Sequence, residues 1–190
     1  YNVMESLTSG TGNVAVGFEA GKALTTQSYN TFIGHEAGES VAGASNTALG
    51  YRALADASAD VDYCVAIGHN ALTTADADYD SGSVAIGHQS LQNQSATALA
   101  GNTAIGHQSG AAITTGVENI AIGYQALLAS ATGSYNTVVG YKSGTAIIDG
   151  TRNTAVGGYA LNTDDYGAGN TAIGYVALYS QDTSGTSQVY

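Results

Sequence analysis

The sequence predicts an all-β protein, a parallel β-solenoid or β-roll of about ten rungs of 16–19 residues. Three observations carry that prediction: a recurring phrase, a glycine at near-constant spacing, and period-two alternation before each glycine. The phrase reads Asn, Thr or Val, Ala, Ile or Val, Gly, aromatic or His, any residue, Ala or Ser, Leu or Gly. Clear copies are Asn102-Thr103-Ala104-Ile105-Gly106-His107, Asn119-Ile120-Ala121-Ile122-Gly123-Tyr124 and Asn170-Thr171-Ala172-Ile173-Gly174-Tyr175. The glycines are Gly17, Gly34, Gly50, Gly68, Gly87, Gly106, Gly123, Gly140, Gly157 and Gly174, separated by 17, 16, 18, 19, 19, 17, 17, 17 and 17 residues.

Alternation makes Thr-Ala-Ile a strand. Val16, Ile33, Leu49, Ile67, Ile86, Ile105, Ile122, Val139, Val156 and Ile173 form an aliphatic column. Ala15, Ala48, Ala66, Ala85, Ala104, Ala121, Ala155 and Ala172 line the opposite face, interrupted by Phe32 and Val138. Gly then ends the strand, as expected where φ turns positive or another backbone runs close. A second apolar run, such as Ala111-Ala112-Ile113 or Thr145-Ala146-Ile147-Ile148, predicts a second short strand. Gly10, Gly43, Gly116, Gly133, Gly150 and Gly167 mark the turn that leads back to the next Asn. Stacked at about 4.8 Å per rung, such units make a rod roughly 50 Å long. So thin a roll has little interior, and both strand faces are apolar. The Ala face is therefore expected to be covered by another copy of the chain in a closed ring.

The chain has 190 residues with 26 Gly, no Pro, no Trp and one Cys, and 10% of it is charged. A formal charge of −11, with Lys22, Arg52, Lys142 and Arg152 the only basic residues besides His, provides no basic stripe for nucleic acid. No run approaches the about 20 apolar residues of a membrane-spanning helix, so no membrane insertion is expected of this segment. Cys64 is alone, so no internal disulfide forms. Tyr1-Asn2-Val3-Met4 matches Tyr51-Arg52-Ala53-Leu54, and the last residues also fall within a unit, so residues 1–190 read as one array excerpted from a longer one.

The Thr/Val-Ala-Ile-Gly core with its preceding Asn resembles the head repeats of trimeric autotransporter adhesins. The phrase from Asn170 to Leu178 resembles repeat regions of phage tail fibres. The resemblance covers all ten units and implies a left-handed roll associated as a homotrimer. The units here run longer than the adhesin-head repeat.

Candidate sites each have a structural alternative. His35, His69, His88 and His107 occupy the post-Gly column held elsewhere by Phe18, Tyr51, Tyr124, Tyr141 and Tyr175. They read as a stack, with a metal bridging neighbouring rings as the alternative. Asp76, Asp78 and Asp80 have the alternating spacing of a calcium loop, one rung from Asp56, Asp60 and Asp62. The EF-hand pattern fails there, with Gly82 one place late and Gly87 where the bidentate Glu belongs, so a solvated acidic loop competes with a calcium site. Asn13, Asn30, Asn46, Asn102, Asn119, Asn136, Asn153 and Asn170 form a column suited to an amide ladder, with Cys64 and Ser83 in the places of two members. Tyr29, Tyr63 and Tyr135 precede that column and are suited either to packing or to stacking on sugars.

No catalytic constellation and no resident cofactor is expected. The leading expectation is a structural shaft of a tail fibre or other extracellular or cell-surface appendage. An adhesin whose loop from Thr73 to Gly82, or whose tyrosines, touch a glycan or cell-surface receptor is the alternative, and a solenoid enzyme acting on polysaccharide is a third.

Overall fold

The computed structural model describes residues 2–57, 61–75, 82–95, 100–163 and 167–180. Ten three-residue strands succeed one another: β1 (Val14–Val16), β2 (Thr31–Ile33), β3 (Thr47–Leu49), β4 (Val65–Ile67), β5 (Val84–Ile86), β6 (Thr103–Ile105), β7 (Ile120–Ile122), β8 (Thr137–Val139), β9 (Thr154–Val156) and β10 (Thr171–Ile173). They form one parallel sheet in chain order, each column residue opposite its equivalent, as in Thr103↔Ile120, Ala104↔Ala121 and Ile105↔Ile122. The chain is a β-solenoid with no helix among the described residues.

The strands stop after three residues because of the glycine. Gly140 has φ 140°, and an added Cβ there would lie 2.5 Å from the carbonyl oxygen of Gly157 on the next rung. Gly17, Gly34, Gly106, Gly123 and Gly157 abut their successors in the same way. A side chain is therefore excluded both by the backbone conformation and by the neighbouring backbone.

The expected second strand is absent among the described residues. Its place is taken by a coil in which left-handed residues alternate with ordinary ones: Arg52 (φ 51°) and Leu54 (φ 54°), Asn70 (φ 54°) and Leu72 (φ 47°), Gln125 (φ 52°) and Leu127 (φ 52°). Repeated sign changes in φ curl the chain back over the sheet, which extended backbone would not do. The coil is still tied rung to rung, since Gln125 N–H donates to His107 O at 2.9 Å and Leu127 N–H to Ser143 O at 3.0 Å.

That curl corrects the expectation for the Ala face. From Ala48 to Ala172 the column is buried within a single chain, and Phe32 and Val138 are buried with it. The cover comes from the chain's own coil, and small strand residues let the two layers approach closely. The aliphatic column, not the Ala column, faces outward.

Two kinds of rung fill this core. In one, the fourth residue after the strand-ending Gly is Leu and the seventh is small: Leu54 with Ala57, Leu72 with Ala75, Leu127 with Ser130, whereas on β5's rung Leu91 is followed by the larger, buried Gln94. In the other, the fourth is Gly and the seventh is large: Gly21 with Leu24, Gly38 with Val41, Gly110 with Ile113, Gly144 with Ile147. The bulky strand residues both belong to rungs of the second kind. Phe32 would contact a Cβ on Gly38 at 2.6 Å, and Val138 one on Gly144 at 3.1 Å. Volume removed at one position is restored at another, as close packing requires.

Candidate functional site

Three columns run the length of the rod outside the core. The first is the outer strand face, where Val16 is 58% exposed, Leu49 44%, Ile105 37% and Ile173 70%. Two residues earlier on the same face stand Thr31, Thr47, Thr103, Thr137, Thr154 and Thr171, with Val14, Val65, Val84 and Ile120 in the remaining rungs. The strand face therefore carries no charge over ten rungs, and it is apolar or hydroxyl-bearing throughout.

The second column follows the glycines. Phe18, His35, Tyr51, His69, His88, His107, Tyr124 and Tyr141 stack with centroids 4.9–5.4 Å apart and planes within 28°. Gly158 interrupts the column on β9's rung, and Tyr159 swings in from the next position to meet Tyr141 edge-on at 5.3 Å and 74°. The phenolic hydrogen bond to Tyr141 holds the Tyr159 hydroxyl above its usual pKa. Nearly parallel rings direct their nitrogen lone pairs sideways and not toward one shared ion. Among the described residues, the group of three ligating side chains close enough for a metal includes none of these histidines.

The third column is asparagine, buried from Asn30 onward. Each Asn up to Asn153 accepts at Oδ1 the backbone N–H of the equivalent residue one rung on: Asn119 N–H to Asn102 at 2.8 Å, Asn136 to Asn119 at 2.9 Å, Asn153 to Asn136 at 3.0 Å, Asn170 to Asn153 at 2.9 Å. Each Nδ2 donates to a turn carbonyl, as Asn102 does to Gly116 O, Asn119 to Gly133 O and Asn136 to Gly150 O, all at 2.8 Å. One side chain thus satisfies a donor and an acceptor that burial would otherwise leave costly. Cys64 still donates its N–H to Asn46 Oδ1 at 2.9 Å, but carries no amide of its own. On the next rung Gln94 reaches in from the coil: its Nε2 donates to Ser83 Oγ at 3.0 Å and its Oε1 accepts Asn102 Nδ2 at 3.0 Å. A glutamine from another position thus takes over part of the missing asparagine's bonding.

The acidic residues separate into two groups. Asp60, Asp76, Asp78 and Asp80 lie outside the described residues. Asp56 is held by Arg52 Nη2 at 2.8 and 3.0 Å, and Asp62 Oδ1 accepts the N–H of Ala44 at 2.6 Å, so these two carboxylates face different partners. The structure instead gathers Glu19, Glu36 and Glu39. Burial, then Glu36 and Glu19, raise the Glu39 pKa, while the hydrogen bond from Lys22 lowers that of Glu19. Lys22 Nζ lies 3.0 Å from Glu19 and 3.8 Å from Glu39, and Arg52 lies 3.6 Å from Glu36, so the cluster has its own cations. Its sequence signal was the second position after Gly17 and Gly34, where Glu19 and Glu36 occur on successive rungs.

No family model matches the chain, and no curated protein or solved structure matches it either.

Proposed function

We propose that this array is a segment of a homotrimeric fibre shaft, part of an extracellular appendage of a virion or cell, whose work is mechanical and not catalytic. The observation that carries this reading is the uncharged outer face along all ten strands, mostly aliphatic with threonine in the remaining places, and nowhere buried. A continuous surface of that kind, parallel to the rod axis, suits side-by-side packing of identical rods. Three as the number of chains, and left-handed winding, rest on the resemblance to adhesin-head and tail-fibre repeats. Rigidity would come from the in-register backbone ladder, reinforced by the asparagine and aromatic columns.

The native mass of the chain tests this reading. A trimer of 19.0 kDa subunits is expected, and Ile105→Asp with Ile122→Asp is expected to give folded monomers with unchanged circular dichroism. A monomeric parent chain at micromolar concentration would overturn the assembly. A second reading, direct contact with a surface glycan, is favoured by Tyr29 and Tyr63, each 69% exposed. Titration with oligosaccharides, comparing the chain with Tyr63→Ala, separates the two.

A further inference from the structure

Charge and bonding both change in the middle of the rod. His69, His88 and His107 follow β4, β5 and β6, all exposed, with ring centroids 5.1 and 5.0 Å apart. Tyr51 and Tyr124 close the stack below and above. The flanking column, Asn70, Gln89, Gln108 and Gln125, is neutral. Arg52 and Asp56 pair with each other one rung below. Asp62 and Glu118 precede β4 and β7, at the opposite ends of those strands from the rings. Asp76, Asp78 and Asp80 lie outside the described residues. No carboxylate among the described residues forms an ion pair with any of the three imidazoles, whereas His35 Nδ1 has Glu36 at 3.3 Å.

The same rungs carry Cys64 and Ser83 in the asparagine column, so two positions of the ladder have no side-chain amide of their own where the histidines stack, and Gln94 supplies one beside Ser83. They are also the rungs where glycine spacing lengthens to 18 and 19 residues. We propose that the stretch from β4 to β6 is an acid-sensitive joint: adding a proton to His88, stacked between His69 and His107, loosens these rungs before the rest of the rod.

The electrostatics have a definite sign. Two unit charges about 5 Å apart shift an equilibrium about fourfold even across water, and His88 faces two such neighbours. Burial, then His107 and His69, hold the His88 pKa below its usual value. An opened joint therefore takes up a proton more readily than the closed one. The closed state keeps its full stability above the ordinary histidine pKa and loses it as pH falls through that value toward the lowered one.

Hydrogen exchange of the whole chain at about pH 7.5 and about pH 5 is the test, with amides of β8–β10 in the same sample as the reference for intrinsic chemistry. Protection of β4–β6 relative to β8–β10 is expected to fall roughly tenfold on acidification. In His88→Tyr, which places at β5 the residue that Tyr124 already contributes to the same stack, the fall should shrink to under about twofold. His35→Tyr, which has no histidine neighbour, should retain the full fall. A pH-independent ratio in the parent chain would overturn the joint, and so would an undiminished fall in His88→Tyr, which would assign the effect to carboxylates. The stack belongs to each chain, so the outcome does not depend on how many chains assemble.

Discussion

Rungs β6 to β10 and rungs β4 to β5 share one backbone ladder but differ in almost everything attached to it. In the former, glycines recur every 17 residues and Asn begins every rung; in the latter, spacing reaches 19 and Cys64 and Ser83 stand in for Asn. The sheet register runs unbroken through both. Strand pairing therefore tolerates irregular coils, while the side-chain lattice records where irregularity occurs. The backbone hydrogen bonds define the rod, and the columns distribute stability along it.

The largest contrast is at glycine. Gly140→Ala in the regular rungs would drive a Cβ against the Gly157 carbonyl at 2.5 Å and hold alanine at φ 140°. A loss of more than about 4 kcal/mol is expected, a size reached only when backbone has to move. Gly82→Ala, before β5, meets nothing within 4 Å, and its φ of 77° is the main penalty. Only about 1–2 kcal/mol should be lost there. Chemical denaturation of the two variants checks this, and equal losses would refute the distinction between the regions.

The asparagine column gives the intermediate effect. Asn136→Ala removes the acceptor for Asn153 N–H and the donor to Gly150 O, both buried, and about 2–4 kcal/mol should be lost. Ser83→Ala removes one hydroxyl contact with Gln94, whose Oε1 still accepts from Asn102, so about 1 kcal/mol is expected. A cost at Ser83 equal to that at Asn136 would mean that the central rungs are as tightly tied as the regular ones.

The architecture was legible because a repeat displays its own constraint many times. Ten copies of one strand and one glycine define the parallel sheet and its register without any long-range guess. Which face lies inside was not legible from the strand alone, since alanine and isoleucine are both apolar. It was decided by the left-handed residues at positions such as Leu54 and Leu127, which the sequence does not mark because their residue types normally avoid that conformation. The exchange of Leu/small for Gly/large between the fourth and seventh positions was present in the letters. Only once the coil is seen to lie on the Ala face do those two positions become neighbours competing for one volume. The glutamate cluster needed the same step, because Glu39 joins Glu19 and Glu36 only through the curl of the coil.

The smallest effect is within the irregular rungs, where a ladder that crosses from the regular ones comes to its end. Gln108 Nε2 donates to Gln89 Oε1 at 3.0 Å, and Gln125 Nε2 to Gln108 Oε1 at 2.8 Å, a polar ladder beside the aromatic one. One rung earlier the column holds Asn70, whose Oδ1 is buried without a hydrogen-bond partner. Asparagine is one methylene shorter than glutamine, so the ladder ends for want of reach and not for want of chemistry. Asn70→Gln is expected to accept from Gln89 and to raise stability by about 0.5–1.5 kcal/mol, the usual net value of one such bond. Because Asn70 sits beside His69, the gain should appear as slower exchange at β4 and β5 and leave β8 to β10 unchanged. A uniform gain along the rod, or none, would show that these rungs do not open separately from their neighbours.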